Sequence, residues 1–271
     1  MAATGPILKV TEIGGNAIRD PHEALDIVFK GRAFTISLVM PQDGLAPLFD
    51  GAAWAGTQLW EAAVEGINYM EQTYGAELAR GANVIELGCG TGIPGMCCRL
   101  MGAKVLLTEQ ADLLPLLNAN LASAFPDDSG ITTEVLSWDR ELAAQLSAEQ
   151  GPFDLILSCD CIFFPLYGDS WKKLAETIHC LLLDKRLSPT LPHAEGADAL
   201  AGGDPAGRRA LPRAIVAVQR RNGDQIDDFT AYFRALEPKM ECIEARALTV
   251  QSNTSKPVPI VIYEMWLDPA K

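Results

Sequence analysis

The 271-residue chain lacks several features that would place it in particular classes of protein. No apolar run approaches the roughly 20 residues of a transmembrane helix, and the N-terminus has no basic and apolar signal region. The seven cysteines are odd in number and form no C-x-x-C pair, which disfavours a zinc site and a disulfide framework. We therefore expect a cytoplasmic protein, with the nucleus left open, that binds neither a membrane nor a metal.

Basic residues are also scarce, since 22 Lys and Arg stand against 35 Asp and Glu, for a formal net charge of −13. A protein that binds nucleic acid presents a basic face to the phosphates, and here adjacent basic residues form nothing longer than pairs such as Arg220-Arg221. Nucleic acid is therefore not an expected partner. The acidic charge either attracts a basic protein partner or only keeps the protein soluble, and both interpretations stay open. No coiled-coil seam or long apolar edge is visible, so a monomer is expected.

What the chain does contain is a strand followed by a glycine-rich turn, Val-Ile-Glu-Leu-Gly-Cys-Gly-Thr-Gly at 84–92. The glycines permit a tight strand-to-helix turn and close approach of a ligand to the backbone. An acid, Glu86, lies two positions before the first glycine. The turn residues expected to meet a ligand are Gly88, Cys89, Gly90 and Gly92.

The acid decides which ligand this turn is expected to bind. A pyrophosphate site needs amide groups and a helix N-terminus without a carboxylate beside them, and a dinucleotide fingerprint would need glycine where Ile93 stands. Glu86 instead suits a cationic group, such as the amino group of S-adenosylmethionine. Glu109, at the end of the next strand, is placed to accept from ribose hydroxyls of either an NAD or an S-adenosylmethionine. The NAD-dependent oxidoreductase stays the weaker alternative.

Alternating strand and helix patterns predict an α/β fold with a seven-stranded, Rossmann-like parallel sheet that ends in an antiparallel hairpin. An N-terminal β-hairpin (25–30 and 33–39) precedes it within an extension at 1–56, and an Ala/Gly/Pro-rich stretch at 186–212 is expected to be a flexible insertion in one domain of residues 1–271. The remaining predicted strands are 83–87, 103–108, 131–136, 153–159, 214–219, 240–250 and 258–267, and the predicted helices are 58–74, 93–101, 111–124, 169–183 and 225–236.

Several segments in this order resemble the family-16 protein methyltransferases, which include lysine methyltransferases acting on calmodulin, chaperones and elongation factors. The resembling segments are Leu59–Ala63, Val84–Gly95, Leu106–Glu109, Leu136–Asp139 and Phe153–Phe163. The resemblance implies an S-adenosylmethionine-dependent enzyme that methylates a lysine of a protein substrate. It also implies roles for single residues: Trp60 near the methionine end of the cofactor, Glu109 on the ribose, Trp138 on the adenine and Cys159 closing the pocket. That Trp60 and Trp138 are core aromatics remains an alternative.

Asp160 is the predicted catalytic residue, since it ends an apolar strand where a carboxylate is costly without a partner or a task. It can orient the incoming amine; the alternative is that it caps the following turn. Many family members carry Asp-x-x-Tyr here, whereas this chain has Phe163 in place of the tyrosine. That departure keeps arginine open as the acceptor. A non-catalytic scaffold that binds the cofactor is a further alternative.

Overall fold

The computed structural model describes residues 8–13, 24–38, 55–184, 211–252 and 256–267. Residues 186–210 of the predicted insertion and most of the predicted 1–56 extension lie outside these ranges, so both stay predictions.

The described residues form ten strands and seven helices. The strands are β1 (Leu8–Ile13), β2 (Ala24–Phe29), β3 (Arg32–Ser37), β4 (Asn83–Leu87), β5 (Lys104–Glu109), β6 (Ile131–Val135), β7 (Leu155–Cys159), β8 (Arg213–Gln219), β9 (Met240–Gln251) and β10 (Pro257–Leu267). The helices are α1 (Glu61–Ala79), α2 (Ile93–Leu100), α3 (Leu114–Ala124), α4 (Arg140–Gln150), α5 (Phe164–Tyr167), α6 (Ser170–Leu182) and α7 (Ile226–Ala235).

The main sheet has seven strands in the order β6-β5-β4-β7-β8-β10-β9. The first five are parallel, and β10 pairs antiparallel with both β8 and β9. This confirms the predicted Rossmann-like sheet with its C-terminal hairpin. Because β4 has β5 on one side and β7 on the other, the chain changes direction of crossover at β4. In an open parallel sheet, such a switch point is where a ligand binds.

Helices cover both faces of this sheet, as parallel strands require. One apolar core lies under α1, α2 and α3, and a second lies under α4, α6 and α7. The central strands β4 and β7 are buried on both faces, which explains why most of their residues are apolar.

The predicted N-terminal hairpin is present as β2 and β3, but it belongs to a separate three-stranded sheet because β1 pairs with β2. The side chain of Asn120 on α3 ties this small sheet to the domain. It accepts from the backbone amide of Ser37 at 2.8 Å and donates to the carbonyl of Ser37 at 2.9 Å. The small sheet is therefore anchored to α3.

Several helices differ from the sequence prediction, and the sequence or backbone explains the differences at α4 and α1. Helix α4 was not predicted, because it buries only Ala143, Leu146 and Ser147 and so shows a weak apolar stripe. Helix α1 begins at Glu61 rather than at residue 58, because Trp60 is extended at φ −86° and ψ 150°. Trp60 therefore belongs to the segment that leads into α1 and not to the helix itself.

Candidate active site

A cavity of about 430 Å³ opens beyond the carboxyl ends of β4, β5 and β7, at the switch point of the sheet. The segment that leads into α1 forms part of its wall. The structure brings most of the predicted site residues together in its lining: Trp60, Glu86, Gly88, Cys89, Gly90, Glu109, Trp138 and Cys159. The other two predicted residues, Gly92 and Asp160, are not in the lining.

The turn after β4 accepts only glycine at two positions. Gly88 and Gly90 have φ angles of +63° and +52°, which favour glycine. A Cβ atom on Gly88 would lie 2.9 Å from Cζ2 of Trp138, and one on Gly90 would lie 2.6 Å from the carbonyl oxygen of Gly56. Because neither glycine has a side chain, Trp138 and Gly56 can pack directly against the backbone of the turn.

Gly92 has a different reason to be glycine. It precedes α2 with φ +75°, and a Cβ atom there would lie 2.7 Å from Cδ1 of Leu117 and 3.0 Å from Cδ1 of Leu107. Its near neighbours are core side chains, so its closeness in sequence to Gly88 and Gly90 does not bring it to the cavity.

Glu86 is only 1% exposed, yet it lines the cavity. Its Oε2 accepts a hydrogen bond of 2.7 Å from the backbone amide of Gly95, in the first turn of α2. Among the described residues, Oε1 accepts no hydrogen bond and so remains for a ligand. Burial raises the pKa of Glu86 to about 8, although the Gly95 amide acts in the opposite direction. A cationic ligand would favour the ionised form of this carboxyl.

Glu109 ends β5 with both carboxylate oxygens turned back to the chain. Oε2 accepts from the amide of Gly90 and Oε1 from the amide of Gln110, each at 2.8 Å. Burial raises its pKa, and the two amides oppose that shift. Since a carboxylate oxygen can accept more than one hydrogen bond, both oxygens retain capacity for the hydroxyls of a ribose.

Trp60 forms the wall opposite the glycine turn. Its indole Nε1 donates to the carbonyl of Ala55 at 3.0 Å, so the ring is fixed to the segment that also touches Gly90 through Gly56. Cys159, which also lines the cavity, lies close to α1: a Cβ atom on Gly66 would be 3.0 Å from its Sγ.

Trp138 lies in the lining and against the glycine turn, and its contact with the adenine stays a prediction. Its neighbour Asp139 is not in the lining. Asp139 caps α4, since its Oδ1 accepts from the amides of Glu141 at 2.8 Å and Leu142 at 3.2 Å.

Three thiols line the cavity: Cys89, Cys159 and Cys161. Burial raises the pKa of each, to about 12 for Cys161. Because the thiolate is the nucleophile, these cysteines stay neutral and unreactive toward an electrophile bound beside them. They present an apolar, uncharged wall.

Asp160 follows β7 at φ +57° and has a side-chain exposure of only 1%. Its Oδ1 accepts from the backbone amide of Gln219 at 3.0 Å, and its Oδ2 forms an ion pair with Arg221. Burial raises the pKa of the Asp160 carboxyl, and the Arg221 guanidinium opposes that shift. Both side-chain contacts reach across to the end of β8, so the alternative that Asp160 caps the turn at 165–168 finds no support in its hydrogen bonds.

Sequence reasoning missed Arg221, which was noted only as half of a basic pair. Its guanidinium lies over the ring of Phe163 at 4.3 Å and over the ring of Trp60 at 5.6 Å. The position of Arg221 in the sequence could have indicated a role near the site, because it follows β8 and β8 neighbours β7 in the sheet. Lys173, which also lines the cavity, was missed because it does not belong to a strand end.

The residues of the cavity fit an adenosyl ligand with a cationic amino acid end. Glu86 offers one carboxylate oxygen, Glu109 offers two, and the glycine turn offers uncovered backbone. The volume of about 430 Å³ lies in the ordinary range for small-molecule sites. The seven-stranded fold and this site define a Rossmann-like methyltransferase whose cofactor is S-adenosylmethionine.

A solved relative shares this fold at low sequence identity. An S-adenosylmethionine-dependent methyltransferase from Agrobacterium tumefaciens superposes with a TM-score of 0.52 at 10% identity, covering 92% of this chain and 72% of that one. At this identity the likeness concerns the fold alone.

The family itself follows from the sequence match. The model of the lysine methyltransferase family matches residues 42–187, which contain the glycine turn, both glutamates and Asp160. The chain belongs to this lysine methyltransferase family.

Three curated relatives are similar over parts of their length. Secreted RxLR effector protein 48 of Plasmopara viticola is 38% identical over 54% of this chain and 68% of its own. Protein N-lysine methyltransferase METTL21A of Mus musculus is 34% identical over 44% of this chain and 52% of its own. Protein-lysine N-methyltransferase EFM6 of Saccharomyces cerevisiae is 29% identical over 62% of this chain and 75% of its own. The match thus spans about half of the mouse protein.

Proposed function

We propose that the protein transfers a methyl group from S-adenosylmethionine to the side-chain amine of a lysine in a protein substrate. The observation that carries the proposal is the pair of buried glutamates at the glycine turn: Glu86 keeps one oxygen toward the cavity, and Glu109 keeps hydrogen-bonding capacity beside Gly90. Membership of the lysine methyltransferase family and the names of two relatives support the choice of acceptor.

The residues of this chain bind and align rather than supply the reactive group. When bound, S-adenosylmethionine supplies a methyl group that its sulfonium already activates. Glu86 would hold the amino group, Glu109 the ribose hydroxyls and Trp138 one face of the adenine. Trp60 and Cys159 would enclose the methionine end, where exclusion of water strengthens each polar contact.

The acceptor must reach this site without its proton. A lysine amine has an ordinary pKa of about 10.4, and burial lowers the pKa of an amine because it disfavours the charged form. The wall formed by Trp60 and the neutral thiols of Cys159 and Cys161 supplies such surroundings. The expected contact between Asp160 and the acceptor stays a prediction, since both of its oxygens have partners at the end of β8.

The state of Asp160 also favours lysine over arginine. A guanidinium does not lose its proton, so an arginine acceptor needs carboxylates to pair with it. The acids in the described lining are Glu86, Glu109 and Asp112, and the first two are assigned above to the amino group and the ribose of the cofactor. Asp160 is already paired with a guanidinium of the chain itself. We therefore place arginine second.

The partner, its location and the assembly state are proposals as well. The net charge of −13 suits a basic segment of a protein substrate. All seven cysteines are free thiols, which suits a reducing compartment such as the cytoplasm. We retain a monomer that works without metal. None of the described helices has the length and apolar character needed to span a membrane, and no cluster of metal-ligating side chains occurs among the described residues.

Two measurements test the proposal. Calorimetry with S-adenosylhomocysteine should give saturable binding, which Glu86→Gln should abolish and the exposed control Glu149→Gln should not change. Cell extract incubated with the protein and a labelled methyl donor should then carry label on a lysine, located by mass spectrometry. Absence of S-adenosylhomocysteine binding to the wild-type protein would refute the proposal. Label found only on arginine would show that arginine, and not lysine, is the acceptor.

A further inference from the structure

A partly buried guanidinium supports one wall of the cavity from outside. We call Arg221, its ion-pair partner Asp160 and the rings of Trp60 and Phe163 the clasp. Arg221 donates through Nη2 to Asp160 and through Nη1 to Oε1 of Gln219 at 3.2 Å, and its side chain is 19% exposed. The clasp therefore joins the ends of β7 and β8 to the start of α1.

The position of Arg221 is fixed on its backbone side too. Its amide donates to Oδ2 of Asp224 at 2.8 Å, and Asp224 also pairs with Arg220 at 3.3 Å. The turn after β8 is thus tied down, so the guanidinium is presented to the two rings from a held base.

The planar shape of the guanidinium matters in this arrangement. A guanidinium stacks on aromatic faces and pairs with a carboxylate at its edge, whereas an ammonium does only the second. With its centre 4.3 Å from the ring of Phe163 and 5.6 Å from that of Trp60, Arg221 contacts both rings. Asp160, almost fully buried, neutralises a charge that would otherwise be costly there.

Only one member of the clasp reaches the cavity. Trp60 is in the lining, whereas Arg221, Asp160 and Phe163 are not. The indole also holds Ala55, and the neighbouring Gly56 contacts Gly90 of the turn that meets the cofactor. A displacement of Trp60 would therefore pass directly to the glycine turn.

We propose that Arg221 is a positioning residue for the cofactor cavity: held by Asp160 and stacked on Phe163, it fixes Trp60 in the wall. This rests on the proposed function, because the cavity is taken to bind an adenosyl ligand. It gives the buried Asp160 a task that requires no contact with the acceptor.

The matched control is Arg246 on β9, which lies over an aromatic ring of α1 but is not in the lining of the cavity. Arg246 lies over the ring of Tyr69 of α1 at 4.9 Å and donates to Gln72 at 2.9 Å. Both Arg221→Ala and Arg246→Ala remove a guanidinium from an aromatic ring of α1 or its approach. Only the first is expected to affect the cavity.

Calorimetry with S-adenosylhomocysteine is the first measurement. We expect Arg221→Ala to weaken binding about tenfold or more, Arg221→Lys to weaken it partly, and Arg246→Ala to leave it unchanged. Millimolar guanidinium chloride should restore the affinity of Arg221→Ala, because the free ion fits the space between Asp160 and the rings. Equal sodium chloride and equal urea should not. Wild-type affinity in Arg221→Ala, or tighter binding, would overturn the proposal and indicate that Arg221 obstructs the site.

A second measurement does not depend on any ligand. The emission of Trp60, taken as the difference between each protein and its Trp60→Phe counterpart, should change in Arg221→Ala and recover with guanidinium. The double variant Asp160→Asn with Arg221→Met keeps no unpaired buried charge, and it should show the same altered emission if Arg221→Ala does not fold. Unaltered Trp60 emission in these variants would refute the clasp, whether or not the protein binds S-adenosylhomocysteine. Absence of S-adenosylhomocysteine binding to the wild-type protein would refute the proposed function instead.

Discussion

The Glu86 carboxylate accepts a 2.7 Å hydrogen bond from the Gly95 amide, which connects the central strand to the first turn of α2. The bond depends on glycine, since a Cβ atom on Gly95 would lie 2.7 Å from Oε2 of Glu86 and 2.3 Å from Cδ2 of Leu107. Amides in the first turn of a helix have no partner within the helix, so an acid is stabilised there. One oxygen is thereby fixed and the other is left for the ligand.

Replacing the Glu86 charge should stabilise the folded protein. A glutamate has an ordinary pKa of 4.5, and burial raises that of Glu86 to about 8. Because the folded state holds this proton more tightly than the unfolded chain, stability falls as pH rises from 4.5 to about 8. We expect Glu86→Gln, whose amide oxygen can still accept from Gly95, to melt at a higher temperature than the wild type above pH 8. Below pH 4.5 the two melting temperatures should converge, and the same difference at every pH would contradict the assignment.

Cofactor binding should release a proton through the same residue. The free protein holds Glu86 largely protonated below its pKa of about 8, whereas an ammonium group beside Oε1 favours the carboxylate. Calorimetric titration with S-adenosylhomocysteine near neutral pH, repeated in buffers of different ionisation enthalpy, should report release of up to about one proton. Release should vanish well above pH 8. Proton uptake, or heats independent of the buffer, would show that Glu86 does not change ionisation.

The glutamates and glycines of the site could be predicted from sequence because strand ends gather at one edge of a parallel sheet. Glu86, Glu109 and Trp138 each follow or end such a strand, so a local pattern was sufficient to place them. The seven-stranded sheet was predictable for a related reason: its buried strands are mostly apolar and alternate with helical patterns along the chain.

What the sequence could not supply were contacts between distant segments. The pairing of Asp160 with Arg221 spans 61 residues, and no local pattern distinguishes this arginine from Arg220 beside it. Gly92 shows the opposite error: it shares a motif with Gly88 and Gly90, yet the turn directs it toward Leu117 in the core. Strand β1 was missed because six residues far from the sheet motifs carry little signal of their own.

Gly88→Ala should damage the cofactor site more than the fold. The new methyl group would lie within 2.9 Å of Trp138 and 2.8 Å of Cys161, so the adenine wall must move. Gly81→Ala is the matched control, since Gly81 has φ +86° but has no atom within 4 Å of a Cβ. Both variants should lose about 1–2 kcal/mol of unfolding free energy from backbone strain. Only Gly88→Ala should weaken S-adenosylhomocysteine binding by about tenfold or more. Equal affinities in the two variants would mean that Trp138 does not contact the ligand.

Asp160→Ala and Asp160→Asn should separate the structural role of this residue from a catalytic one. Alanine leaves the guanidinium of Arg221 without its counter-charge, and breaking a buried pair in this way costs about 3–5 kcal/mol, less whatever the part-exposed Arg221 recovers from water. Adding Arg221→Met to Asp160→Ala should restore part of the unfolding free energy, since no unpaired charge then remains. Asparagine tolerates φ +57° and can still accept from the Gln219 amide. Asp160→Asn should therefore lose less unfolding free energy than Asp160→Ala. If methyl transfer stops in Asp160→Asn while S-adenosylhomocysteine affinity is kept, Asp160 has a direct role at the acceptor. If turnover and affinity fall together, it acts through Arg221 and Trp60, as the ion pair indicates.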